Sequence, residues 1–207
     1  MNTNSTTKSA WRFWLPLALQ TLIILAVPAQ AIYTHLTGTT VILQTVPVDP
    51  YDILRGYYQT LNYDISRIEN LKNLPGWDEV VTDEENEYLK SGVNLYVVLA
   101  APETSAKSPD ELPSPWKPVA ISTEIPANLS ANQVVLAGKS EYNFVNYGLE
   151  KYYLPEDQRE DINNHIREVQ TQSREQEQIP FVVEIKVDNR GKAVPISLWV
   201  GEENYRF

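Results

Sequence analysis

The longest uninterrupted apolar segment of the chain lies near its N-terminus. No charged residue occurs from Phe13 to Thr34, and the stretch from Leu15 to Val27 is almost entirely apolar. About 20 apolar residues allow a helix to cross the roughly 30 Å hydrocarbon core of a bilayer. The pattern therefore predicts a transmembrane helix over residues 13–34, through which the protein binds the lipid bilayer.

The charges before this segment indicate its orientation. Lys8 and Arg12 are the only charged residues that precede it. Positive residues favour the cytoplasmic side of a membrane helix. We therefore expect residues 1–12 to be a cytoplasmic N-terminus, residues 13–34 to cross the cell membrane once, and residues 35–207 to form a single extracytoplasmic domain.

The end of the apolar segment supports a second interpretation. Ala29-Gln30-Ala31 follows the apolar run and has the small-residue spacing of a signal-peptide cleavage site. A retained anchor and a cleaved signal peptide both export the domain, so the pattern leaves the two open. Pro28 is expected to end or kink the helix near its outer end.

The rest of the chain is dominated by strand-type patterns. Alternation and short apolar runs predict strands over residues 39–46, 57–65, 93–101, 119–123 and 133–147, and a hairpin over 180–200 that turns at Asp188–Gly191. Gly138 is the expected position of a β-bulge. Pro155 is expected to open a helix that extends to about residue 175, and Thr82-x-x-Glu85 predicts a short helix over 82–90.

These elements together predict the fold class. Six to eight strands, one main helix near 155–175 and a Pro-rich surface loop over 102–118 indicate a β-rich α+β domain. We expect the N-terminal transmembrane helix to be followed by a mainly antiparallel domain that is either barrel-like or a sandwich.

Charge and composition narrow the range of partners. The chain of 207 residues carries a formal net charge of −10, and because Lys8 and Arg12 contribute +2, the remainder carries −12. Such a surface repels phosphate backbones, so no nucleic-acid partner is expected. The chain has no Cys, and its two His, His35 and His165, do not have a zinc-site spacing. No metal or cofactor is predicted.

The turn between the first two predicted strands carries the most distinctive polar residues. Asp49 fits a helix N-cap, Pro50 the first helical position and Asp52 the third, while Gly56 fits the residue that closes the turn. The same carboxylates, with Arg55, also fit an acid–base pair or a calcium site. Capping is the structural alternative to both.

Two segments resemble a known family. The stretch PVDPYDILRGYYQTLNY at residues 47–63 is similar to the signature of the GDYXXLXY proteins, and YGLEKYYLPE at residues 147–156 is similar to a second segment of that family. Tyr57 stands where the family signature has Asp, which weakens any role for a carboxylate there. The resemblance implies one N-terminal membrane helix, an exported domain and a polytopic membrane protein as partner.

Function is less constrained than fold. No G-x-S-x-G sequence or phosphate loop is present, and no catalytic residue is assigned. The favoured hypothesis is an accessory subunit of a polytopic membrane protein. The alternatives are a small-ligand or cation-binding domain, or a hydrolase, that uses the turn at residues 49–58. The candidate binding residues, all from the two family segments, are Asp49, Asp52, Arg55, Gly56, Tyr58, Tyr63, Glu150 and Tyr152.

Overall fold

A single long helix precedes the sheets. The computed structural model describes residues 6–46, 58–82, 88–103, 112–153, 159–173 and 181–206. Helix α1 (Thr6–Thr37) contains Pro16 and Pro28 and continues beyond both. Of the two expectations for Pro28, that it ends the helix is therefore wrong, and α1 extends beyond the predicted membrane span 13–34 at both ends. By length and composition alone, Trp11–Thr37 could cross a membrane, and no residue in its most apolar part is buried.

The larger sheet has five antiparallel strands. It contains β1 (Thr39–Val46), β3 (Asn62–Tyr63), β9 (Phe181–Val187), β10 (Ala193–Val200) and β11 (Glu203–Arg206), in the order β11-β10-β9-β1-β3. The predicted strand at 39–46 and the hairpin over 180–200 are confirmed. Strand β11 has no counterpart in the prediction.

The second sheet has four antiparallel strands. It contains β4 (Asn94–Ala100), β5 (Lys117–Ser122), β6 (Gln133–Glu141) and β7 (Phe144–Asn146), in the order β5-β4-β6-β7. A separate pair joins β2 (Tyr58–Thr60) to β8 (Lys151–Tyr153). The described strands form no closed barrel, so the β-rich α+β class is confirmed with the sandwich alternative.

Alternating side chains of both sheets form the main core. In the larger sheet Val41 lies opposite Ile185, and Leu43 opposite Val183. All four are completely buried. Branched apolar side chains that alternate along a strand pack well on one face of a sheet. Their partners from the second sheet are Leu95, Val97, Leu99 and Leu136.

A smaller apolar cluster lies outside the main core. Ile42, Val182 and Trp199 form it, and Leu112 and Trp116 pack against it. The backbone N–H of Trp116 donates to the carbonyl of Ile42 at 2.8 Å. The part of the predicted loop 102–118 that the structure describes next to β5 is therefore hydrogen-bonded to the larger sheet.

The helices agree with the prediction in part. Helix α3 (Arg159–Ser173) confirms the main helix near 155–175, with Ile162 and Ile166 buried. The short helix α2 (Trp77–Val80) lies before the predicted one. The prediction of a helix over 82–90 is wrong for the ends of that range that the structure describes. There the N–H of Thr82 donates to the carbonyl of Tyr88 in a hairpin-like contact.

Two predicted strands are interrupted. The strand over 57–65 stops at Tyr63, because Asp64–Ser66 forms a 3₁₀ turn. The strand over 133–147 folds back as a β6–β7 hairpin. The prediction of a β-bulge at Gly138 is wrong, since Gly138 pairs in regular register with Leu95. A Cβ at Gly138 would lie 2.5 Å from a methyl carbon of Val145, so this position needs glycine for close packing.

Candidate functional site

The two family segments lie side by side in the fold. Strand β2 pairs antiparallel with β8, which places Gln59 opposite Tyr152 and Tyr58 opposite Tyr153. Immediately after this pair, the N–H of Leu61 donates to the carbonyl of Glu150 at 2.8 Å. Segments about 90 residues apart in sequence are thus joined through their backbones.

Two buried tyrosines extend this connection. The hydroxyl of Tyr63 donates to the carbonyl of Leu149 at 2.8 Å. The hydroxyl of Tyr147 donates to the carbonyl of Ile65 at 2.7 Å. Residues 63–65 and residues 147–149 therefore each supply one phenol donor and one backbone acceptor, with Ile65 two residues beyond the first family segment. We call these four residues, together with Glu150, the motif junction.

The sequence pattern explains why Tyr63 points inward. Leu61, Tyr63 and Ile65 are buried, whereas Asn62 is exposed and Asp64 is half-buried. This is the alternation expected for one apolar and one polar face. A tyrosine at such a position buries its ring but needs a partner for its hydroxyl, and the Leu149 carbonyl supplies that partner.

Glu150 closes a local turn. One carboxylate oxygen of Glu150 accepts the backbone N–H of Tyr147 at 2.6 Å. Hydrogen bonds to an ionised carboxylate are shorter and stronger than those between neutral groups. The carboxylate holds the turn that carries both Tyr147 and Leu149, so its described contact is structural.

Burial sets the protonation of the two phenols. It raises the pKa of Tyr63 and of Tyr147 well above the ordinary value of 10.0, and the nearby negative charge of Glu150 raises both pKa values further. Desolvation disfavours the charged phenolate. Both groups therefore remain neutral hydrogen-bond donors at physiological pH, and neither is activated as a base or nucleophile.

The remaining candidate residues differ in how far the structure places them. Tyr58 and Tyr152 lie on the paired strands β2 and β8. Asp49, Asp52, Arg55 and Gly56 lie outside the described residues. Within the described part of the chain, no group of three or more His, Asp or Glu side chains has the arrangement of a metal site.

A second polar cluster has no counterpart in the sequence prediction. Nδ1 of His165 on α3 lies 2.8 Å from the Tyr205 hydroxyl on β11, and that hydroxyl donates to Glu203 at 2.6 Å. The His165 and Glu203 side chains are themselves 3.3 Å apart. Only the docking of α3 on the C-terminal strand brings these residues together, so no local pattern indicates the cluster.

Comparison with known proteins identifies a family but no characterised relative. The family model described as GDYXXLXY protein matches residues 20–198. No curated protein and no solved structure matches the chain. The match includes both segments of the motif junction as well as part of α1.

Proposed function

Because the chain belongs to the GDYXXLXY protein family, we propose that it is a membrane-anchored accessory protein of a polytopic membrane partner. Helix α1 is the anchor, its N-terminus is cytoplasmic, and the domain from residue 35 onward is extracytoplasmic. The observation that carries the proposal is the exposed apolar surface of α1.

The exposure of α1 is too extensive for a water-soluble helix. Leu22, Ile24 and Val27 are 66%, 69% and 78% exposed. Full burial of one such side chain is worth about 1.5–3 kcal/mol relative to exposure in water. A bilayer covers this surface without any further part of the chain, and its roughly 30 Å core matches the length of the apolar segment.

The charge distribution supports the proposed orientation. Lys8 and Arg12 precede the span, and the part that follows is strongly acidic. Short basic flanks are retained on the cytoplasmic side. Since the chain lacks Cys, single cysteines can report topology through a membrane-impermeant maleimide.

The topology test uses two positions on opposite sides of the span. Tyr142 is 83% exposed on the β6–β7 turn, and Ser9 precedes the apolar segment. We expect Tyr142→Cys to be labelled in intact cells after removal of any outer permeability barrier, and Ser9→Cys only after lysis. The reverse pattern would overturn the orientation.

Two observations support the accessory role: polar groups of the motif junction are hydrogen-bonded within the protein, and the chain resembles the family. The polar atoms of the motif junction are paired within the protein, which favours a structural role for this part of the family signature. The resemblance implies a polytopic companion, and an anchored domain is suited to bind one.

The partner test is purification of the full chain from membranes in mild detergent. We expect a multi-spanning protein to co-purify in a fixed ratio. The matched control replaces residues 13–34 with an unrelated single-span helix, which keeps the anchor but removes its specific side chains. Recovery of the wild-type chain alone under mild conditions would contradict the accessory role.

A further inference from the structure

The domain is attached to α1 without a flexible linker. Only Gly38 separates the end of α1 from the first residue of β1. The N–H of Gly38 donates to the Thr34 carbonyl at 2.8 Å. A Cβ on Gly38 would lie 2.5 Å from that carbonyl oxygen and 3.0 Å from the backbone of Val187, so helix and sheet meet at backbone contact.

A side-chain contact fixes a second point of this attachment. The Thr34 side chain is buried, and its hydroxyl donates to Oδ2 of Asp188 at 3.3 Å. Oδ1 of the same Asp188 accepts the backbone N–H groups of Arg190 and Lys192, each at 2.9 Å. Asp188 thus holds the β9–β10 turn and connects it to the last turns of the helix.

The length of α1 determines how far from the bilayer centre the helix meets the sheet. The span Trp11–Thr37 has 27 residues, which corresponds to about 40 Å at about 1.5 Å per residue. A bilayer that includes its headgroup layers is about 40–45 Å thick. A spanning α1 therefore ends at the level of the outer headgroups, and the β9–β10 turn lies at the same level.

A cleft opens where the end of α1 meets the sheet. Its volume is about 320 Å³, and it lies between the end of α1, strand β6 and the β9–β10 turn. Tyr33 and Leu129 contribute its apolar lining, and Gln133 and Asn189 contribute polar side chains. Leu129 is also 37% exposed. A cleft lined by both apolar and polar side chains suits the boundary between lipid headgroups and acyl chains.

The charge of the turn is opposite to that of the domain. The β9–β10 turn presents Arg190 and Lys192, both exposed, whereas the chain beyond residue 31 carries a net charge of −12. Basic residues next to a membrane are attracted to anionic lipid headgroups. We propose that the membrane-proximal surface formed by Leu129, Gln133, Asn189, Arg190 and Lys192 binds the headgroups of anionic phospholipids.

This inference rests on the proposed membrane span, and its test separates the two. The full chain is reconstituted in nanodiscs of phosphatidylcholine, with or without phosphatidylglycerol, and a fluorophore is attached to one introduced cysteine at a time. Leu129→Cys and Asn189→Cys probe the surface, Tyr142→Cys is the distant control, and Leu22→Cys probes the span. Quenchers are carried on the lipid headgroup, on the acyl chain or in the water.

At positions 129 and 189 we expect a loss of most fluorescence with the headgroup quencher and little loss with the aqueous one. Position 142 is expected to show the reverse, and position 22 to respond to the acyl-chain quencher. Quenching at 129 and 189 that equals that at 142 would overturn the lipid surface, while a response at 22 would leave the anchor intact. No response at 22 would overturn both.

Charge recognition is tested by a matched pair of substitutions. Lys192 and Lys72 are both exposed lysines, but Lys72 follows the segment whose Arg67 pairs with Phe144, beside the distant control position Tyr142. Since one cation near an anionic surface changes affinity about fivefold, Lys192→Glu should reduce headgroup quenching at position 189 to the phosphatidylcholine level. Lys72→Glu should leave it unchanged. Equal effects, or equal quenching in both lipid compositions, would contradict the proposal.

Discussion

Tyr63→Phe is the most direct test of the motif junction. The substitution keeps the buried ring and removes only the hydroxyl that donates to the Leu149 carbonyl at 2.8 Å. Tyr63 is completely buried, so water has no access to the carbonyl left behind. A buried acceptor that loses its partner costs about 1–3 kcal/mol, and we expect the free energy of unfolding to fall by about 2 kcal/mol.

The assay is thermal unfolding of the full chain in detergent micelles, followed by Trp fluorescence. For a domain of this size, a loss of about 2 kcal/mol lowers Tm by about 4–8 °C. Tyr142→Phe is the matched control, since it removes the same hydroxyl from a side chain that is 83% exposed. Exposed substitutions of this kind change stability by less than about 0.5 kcal/mol.

A double substitution tests whether the junction acts as one unit. Tyr63 and Tyr147 bond in opposite directions between the same two segments. Residues in one such network show coupling of about 0.5–3 kcal/mol in double-mutant cycles. A Tyr63→Phe variant as stable as Tyr142→Phe, or strict additivity of the Tyr63→Phe and Tyr147→Phe effects, would refute the structural reading of the junction.

Three further predictions follow from buried contacts. Because burial raises the pKa values of Tyr63 and Tyr147 in the folded state, the unfolded chain loses these protons first. The contribution of these two phenols to stability is complete below pH 10 and falls by up to about 2.7 kcal/mol per pH unit above it. In Tyr63→Phe, urea titrations should show a slope that is smaller by up to about 1.4 kcal/mol per pH unit. Gly138→Ala should cost about 1–3 kcal/mol by overpacking against Val145, and Val145→Ala should relieve part of that cost in the same unfolding assay. Asp188→Ala strands two backbone N–H groups and a helix hydroxyl and should cost about 2–3 kcal/mol, whereas Asp188→Asn, which retains one acceptor oxygen, should cost clearly less by calorimetry.

Local patterns were sufficient for the elements that depend on alternation. The strand at 39–46 and the hairpin at 180–200 have side chains of period two with turn residues between them, and both are confirmed. The helix near 155–175 is confirmed as well, and its signal is a helical spacing, since the apolar residues Ile162 and Ile166 are one turn apart. These features depend on neighbours in sequence.

The errors arise where distant contacts decide the local conformation. Gly138 looks like a bulge in sequence, but it is a point where Val145 and Tyr147 approach the strand. The expected helix at 82–90 is replaced at its ends by a contact between Thr82 and Tyr88. Tertiary contacts of this kind override local propensity.

In the candidate site, too, the sequence indicates the residues but not their distant partners. Tyr63 and Glu150 could be selected from the family segments, but their actual partners, the Leu149 carbonyl and the Tyr147 N–H, are backbone groups. Every residue carries a backbone carbonyl, and every residue except proline carries a backbone N–H, so a sequence does not indicate which of these groups a side chain will bind. The sequence therefore identified the two family segments, but only the pairing of β2 with β8 in the structure shows that they meet.

The single-residue connection at Gly38 also relates rotation of the helix to rotation of the domain. An α-helix advances about 100° per residue. Because the helix end contacts Val187 and Asp188 directly, an insertion of one residue within α1 would turn the whole domain by about 100° about the helix axis, relative to the part of α1 that precedes the insertion. A partner that binds one side of α1 thereby selects which side of the sandwich faces it.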